Sequence, residues 1–223
     1  FSYIDTSYDL LSVFSNLPNT KIIFFQNGRF KKSRFNKDFF EKKIKIDYYF
    51  LTSESSKKYF SNFFEGNLIV SGSLINNSFE RPISKQTNKI QFVSQFRPPA
   101  INNDPHHAYW SKNIIKDDSI LLKILNKFCL NKKIDLEILL CSNGAEEKKY
   151  YQNISKDFIL KESDSFSYNN ISPNAIIAGG CSNFVYESFG RGYKTAFLTV
   201  RSDSMKDESR TFDWPNTGPS ESG

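Results

Sequence analysis

The sequence predicts an α/β protein built on parallel sheet, and three observations predict it. Apolar runs of strand length recur along the chain, segments of helical period lie between them, and turn residues mark the joins. A chain of 223 residues can bury a sizeable core. Its 39% hydrophobic content and 22 Phe exclude wholesale disorder, which requires few aromatics and a large uncompensated charge.

Taken in order, residues 21–26 (KIIFFQ) read as a buried strand closed by the turn pair Asn27-Gly28. Residues 48–51 form a second short strand, and residues 53–64 a helix that Ser53 can cap. A third strand, residues 68–70, ends at Ser71-Gly72-Ser73. The stretch 75–88 is polar, contains Pro82 and lacks periodicity, so it reads as a linker between a domain of residues 1–82 and one of residues 83–223. The second domain opens with a strand at 89–96. Its first helix carries Ile120, Leu121, Ile124, Leu125, Phe128 and Cys129 at helical spacing, and these six are expected to face the core. A strand at 136–140, a charged helix at 145–153, a strand at 174–178, a helix at 183–191 and a strand at 195–200 complete the alternation.

A formal charge of +6 favours phosphate-bearing partners without choosing among nucleotides, anionic lipids and nucleic acid. Much of the excess comes from Arg29, Lys31, Lys32, Arg34, Lys37, Lys42, Lys43 and Lys45, opposed only by Asp38 and Glu41. A solvated basic loop is the plain reading, and contact with a membrane surface or an anionic substrate is the functional one. Nucleic acid is not the expected partner. The loop lacks the interleaved aromatic platform of a dedicated single-strand binder, although Phe30, Phe35, Phe39 and Phe40 lie in it.

Cys129, Cys141 and Cys181 are far apart, odd in number and in no metal-ligand spacing, so reduced, largely buried thiols and a cytoplasmic setting are expected. No apolar run approaches the roughly 20 residues of a membrane span. The sequons at Asn76, Asn153 and Asn170 then read as chance matches. A start without Met and an end close behind an aromatic-rich segment read as a piece of a longer protein.

The richest segment runs from Asn174 to Thr199. It joins a buried strand, a Gly179-Gly180 turn, a helix whose first turn offers Cys181, Ser182 and Asn183, a Gly192 stop and another strand. Two glycines let backbone approach a ligand, and a helix N-terminus presents N–H groups and a positive dipole end to a phosphate. Ligands in open α/β sheets bind at the carboxyl edge of the strands. Glu187, one turn along, is spaced to accept hydrogen bonds from ribose or sugar hydroxyls. An ordinary strand-to-helix turn, with Ser182 only a cap and Glu187 exposed, accounts for the spacing equally, since neither a G-x-G-x-x-G fingerprint nor a P-loop lysine is present.

The run from Gly180 to Phe197, with Ser182-Asn183, Tyr186-Glu187-Ser188 and Arg191-Gly192-Tyr193-Lys194, resembles the donor-site helix of GT-B glycosyltransferases. It is most similar to those of bacterial surface-carbohydrate and capsule synthesis and to the related CDP-glycerol glycerophosphotransferases. The FFQNG run from Phe24 to Gly28, then Asp47-Tyr48-Tyr49-Phe50 and Val70-Ser71-Gly72-Ser73, is similar in order to the end of that fold's N-terminal domain. The resemblance implies two Rossmann-like domains. The N-terminal one is incomplete and lies on the acceptor side, where Asn27 and Gly28 fall, and the C-terminal one binds a nucleotide sugar.

It further implies that Ser182 and neighbouring backbone amides, from Gly179 to Asn183, hold the donor phosphates, while Glu187 orients the nucleotide or sugar. The loop of Ser94, Gln95 and Arg97 would face the interdomain cleft, with Arg97 neutralising charge on a leaving phosphate. A surface arginine beside Pro98 is the plain reading of Arg97. The implied activity is metal-independent transfer of a sugar or polyol phosphate from a nucleotide-activated donor to a surface polysaccharide or lipid-linked glycan. It needs no cofactor and takes place in the cytoplasm or at the inner face of the membrane. One position departs: relatives often carry histidine where this chain has Asn27, and an amide cannot act as a general base.

His106 and His107 are the only histidines, in a stretch (NNDPHHAYW) that reads as a loop. Either has the proton affinity to deprotonate an acceptor hydroxyl or pair with a phosphate, and an exposed pair without function is the plain reading. Two adjacent histidines without further ligands do not make a metal site. Arg201 follows the last strand and is spaced to reach a bound anion. A nucleotide-sugar epimerase and a non-catalytic nucleotide- or partner-binding module are the competing functions.

Overall fold

The computed structural model describes residues 13, 19–26, 42–73, 76–79, 88–96, 105–162, 171–180 and 182–198, apart from the side chains of residues 78, 105–117 and 183. The described residues group into two compact units, one ending at Phe79 and the other running from Asn88 to Leu198. Each is α/β with an all-parallel sheet.

The first unit contains β1 (Ile23–Phe25), β2 (Ile44–Leu51), helix α1 (Glu54–Phe60), β3 (Phe64–Val70) and a 3-10 turn (Asn76–Ser78), with strands in the order β1-β2-β3. Alternation sets β2: Ile44 and Ile46 are buried, the register shifts between Lys45 and Tyr48, and Tyr49 and Leu51 continue the buried row. The sequence predicts only the half from Tyr48, because the buried positions change phase at the irregularity, from 44 and 46 to 49 and 51, and no single period of two spans the strand. Phe60, Phe63 and Phe64 close over that row, with the Tyr49 ring centroid 5.1 Å from Phe60 and 5.4 Å from Phe64. Burying each such ring contributes about 1.5–3 kcal/mol. Helix α1 starts as predicted, with the Ser53 hydroxyl accepting from the Ser56 amide at 3.2 Å.

The second unit contains β4 (Lys89–Val93), α2 (Pro105–Lys132), β5 (Asp135–Leu139), α3 (Ala145–Ile154), β6 (Ile159–Lys161), β7 (Ala175–Gly179), α4 (Asn183–Gly190) and β8 (Lys194–Phe197). Its sheet order is β6-β5-β4-β7-β8. Counted within the unit this is 3-2-1-4-5, the order of doubly wound sheets, in which the chain reverses its direction of travel between the first and fourth strands. The reversal shows in the packing. Leu122 and Cys129 of α2 and Tyr151 of α3 pack with Ile90, Phe92, Ile138 and Leu140 on one face, while Phe184 and Val185 of α4 pack with Val93, Leu139, Ala175 and Ile177 on the other.

Two expectations about α2 are corrected. The helix begins at Pro105 rather than near residue 120, because proline is pre-organised for a first helical position. His106 and His107 therefore stand in the first turn of a helix, not in a loop. The buried side of α2 runs through Asp118, Leu122 and Cys129, with Leu125 partly buried, whereas Ile120, Ile124 and Phe128 are exposed. At 100° per residue the six apolar positions spread over about half the helix circumference, and only the edge with Leu125 and Cys129, next to Leu122, meets the core. Strand β6 is missing from the sequence reading: three residues at a sheet edge, two of them exposed, leave no pattern to detect.

Candidate functional site

The reversal point lies between β4 and β7, where the carboxyl ends of two neighbouring parallel strands lead to opposite faces of the sheet. On the β7 side, Gly179 ends the strand and Gly180 begins a tight turn in which the Ser182 amide donates to the Gly180 carbonyl at 2.9 Å. Crowding dictates the first glycine, whereas the second packs against the end of a flexible side chain. A Cβ on Gly179 would stand 2.9 Å from Val185 Cγ2, and one on Gly180 would stand 3.1 Å from Gln95 Oε1 and 3.8 Å from the Leu198 carbonyl oxygen. Helix α4 starts here. The Ser182 hydroxyl accepts from the Phe184 amide at 3.3 Å, so the capping role left open by the sequence is the one its side chain fills. The helix ends as predicted, with Gly192 at φ 89° and its amide on the Phe189 carbonyl.

On the β4 side, Ser94 and Gln95 part company. Ser94 is 3% exposed and its hydroxyl is fully used: it donates to Glu147 Oε1 and accepts from the Tyr151 hydroxyl at 2.7 Å and the Phe96 amide at 3.1 Å. A serine oxygen has one proton and two lone pairs, so no capacity is left for a ligand. The Ser94 hydroxyl is thus spent inside its own unit. Gln95 is the β4 group that reaches Gly180.

The partner that takes up Ser94 escaped sequence reasoning. Glu147 is fully buried, and besides Ser94 its carboxylate accepts from the Cys141 amide at 2.7 Å, the Ser142 amide and hydroxyl at 2.8 Å each, and the Asn143 amide at 3.0 Å. Asn143 adopts φ 57° to bring these amides round, a conformation asparagine tolerates. The available signal was positional: Glu147 is the third residue of α3, from which an acidic side chain turns back to amides ahead of the helix. Burial first, and then the Asp118 carboxylate, push the Tyr151 phenol well up, so it stays a neutral donor towards Ser94.

Glu187 is half-buried. Desolvation raises its carboxyl above the usual range, and Arg191 one turn later, at 3.7 Å, partly offsets that. Arg191 is itself buried, its guanidinium 5.8 Å from the Phe184 ring centroid. The structure thus gives Glu187 a partner on its own helix rather than leaving it in solvent. Cys129 is buried and Cys141 partly so, both as free thiols, and burial raises the Cys129 thiol. Arg97, Cys181, Arg201, Asn27, Gly28 and most of the basic segment after Arg29 lie outside the described residues, as do the side chains of Asn183, His106 and His107. Among the described residues, no group of three or more His, Cys, Asp or Glu is placed to hold a metal ion, and no helix is long and apolar enough to cross a membrane.

Residues 23–223 match the family described as "putative O-antigen biosynthesis protein". The chain belongs to this family. The match takes in both α/β units and the whole reversal point, and ties the chain to surface-carbohydrate biosynthesis. No curated protein and no solved structure matches the chain.

Proposed function

We propose that this O-antigen biosynthesis protein is a GT-B-type transferase. It moves a sugar or polyol phosphate from a nucleotide-activated donor to a surface polysaccharide or lipid-linked glycan, without metal, in the cytoplasm or at the inner membrane face. The observation that carries this reading is the coincidence of the sheet reversal between β4 and β7 with the Gly179-Gly180 turn and the start of α4. The N-terminal end of α4 lies there, and its dipole favours an anion. The donor diphosphate sits at the Gly180 turn and the start of α4, beside Gln95, and Glu187 orients the nucleotide or sugar. Assembly of surface carbohydrate proceeds from activated sugars, which gives a diphosphate-binding domain in this family its use.

A thermal-shift and calorimetric screen against CMP-, CDP- and UDP-linked sugars tests this. Binding of at least one of them, weakened by Gly180→Val, is the expected result. Absence of binding by all of them would remove the donor site. Turnover of the donor without any acceptor would instead favour a nucleotide-sugar epimerase.

A further inference from the structure

Glu147 stands at the carboxyl end of the sheet, beside the reversal point, yet the donor-site reading gives it nothing to do. We propose that Glu147 is a positioning residue: its buried carboxylate ties the β5–α3 turn to the end of β4 and so fixes Gln95 opposite Gly180, setting the wall against which a nucleotide phosphate rests. The inference rests on the donor-site reading above.

The tie acts on both sides of Gln95. Before it, the Ser94 amide donates to the Leu139 carbonyl at 3.0 Å, and the Ser94 hydroxyl is held by Glu147. After it, the Phe96 amide donates back to the same hydroxyl at 3.1 Å. The peptide that carries Gln95 is thus anchored through one oxygen, whose direction Glu147 and Tyr151 set together. Glu147 cannot drift, because its other acceptor sites hold the Cys141, Ser142 and Asn143 amides and no water reaches it. Gln95 Oε1 lies 3.1 Å from the place a Gly180 Cβ would take, in contact with the turn, so a shift of the peptide that carries Gln95 moves this edge of the turn.

Exchanging the carboxylate for an amide turns one acceptor into a donor that faces other donors, and the tie breaks. The test is titration calorimetry of the whole chain with CMP, CDP and UDP, comparing wild type with Glu147→Gln, Ser94→Ala, their double variant and Lys89→Met. The last breaks a buried contact at the amino end of β4 and serves as a control for general destabilisation. The nucleotide that binds wild type is expected to bind each single site variant about tenfold more weakly, the scale of one lost buried hydrogen bond. The double variant should bind no more weakly than the weaker single, because both changes cut one connection. Lys89→Met should keep wild-type affinity at a lower melting temperature.

Circular dichroism shows whether each variant folds, and Ser94→Ala carries the test where Glu147→Gln does not fold. A folded Ser94→Ala protein with wild-type affinity overturns the proposal. So do additive losses, which would put Ser94 on the ligand itself, and a loss in Lys89→Met equal to that in Ser94→Ala. Failure of wild type to bind any of the three nucleotides overturns the donor-site reading and this inference with it, whereas binding by wild type with an unaffected Ser94→Ala overturns this inference alone.

Discussion

Among the described residues of the second unit three carboxylates are buried, and two of them, Glu137 on β5 and Glu147 on α3, are accommodated by different chemistry. Glu137 meets a cation: Lys89 Nζ lies 2.6 Å from one oxygen, Gln91 Nε2 2.7 Å from the other, and the Gln91 carbonyl accepts from the Ser172 amide at 2.9 Å. This row crosses β5 and β4 towards the amino ends of the strands and reaches the turn before β7. Glu147 meets only neutral donors and lies at the carboxyl ends. A balanced ion pair suits a place where three segments must be kept in register. A carboxylate that gathers amides suits a place where a turn must be given one shape, and in an open parallel sheet the carboxyl ends are where turns meet ligands.

Removing Glu147 should have the largest effect. Glu147→Ala takes the acceptor from three partly buried amides, the Ser142 hydroxyl and the buried Ser94 hydroxyl, and a loss of about 3–5 kcal/mol is expected in urea unfolding. Lys89→Met should follow, at about 2–3 kcal/mol, below the usual cost of splitting a buried pair because the lysine side chain keeps 21% of its exposure. Replacing Glu137 by Leu in the same protein should restore most of that loss, since a neutral pair of similar volume leaves no charge behind. No equivalent rescue is expected for Glu147, whose partners are backbone groups. Gly179→Ala should come third, at about 1–2 kcal/mol, because its Cβ meets Val185 and Val93 at 2.9 and 3.3 Å.

The smallest effect should come from Glu187. Burial raises its carboxyl in the folded state, so folding binds a proton there more tightly than the unfolded chain does. The stability this provides is complete below the unfolded carboxyl range and fades as pH rises through the raised folded value. Glu187→Gln should flatten this part of the pH dependence of the melting temperature, and a slope equal to wild type would place the proton elsewhere.

Much of the fold was legible because strands in parallel sheet write apolar runs, and β1, β4, β5, β7 and β8 all did so. The first half of β2 was hidden by the change of phase at its irregularity, and β6 by its shortness and exposure. The Ser53 cap, the Gly192 stop and the Gly179-Gly180 turn were legible because each is a local rule of backbone geometry. The fate of Ser94 was not. It is decided by Glu147 and Tyr151, 53 and 57 residues away, and no local pattern carries a contact of that separation. The same holds for strand order, which places β4 beside β7 and brings together two turns far apart in the chain.

Amide hydrogen exchange with and without CDP or UDP tests the central claim most directly. The account predicts slowed exchange at Gly180 and Gln95, and unchanged exchange at Lys89 to Gln91. Exchange at the first two amides that is indifferent to either nucleotide would contradict it.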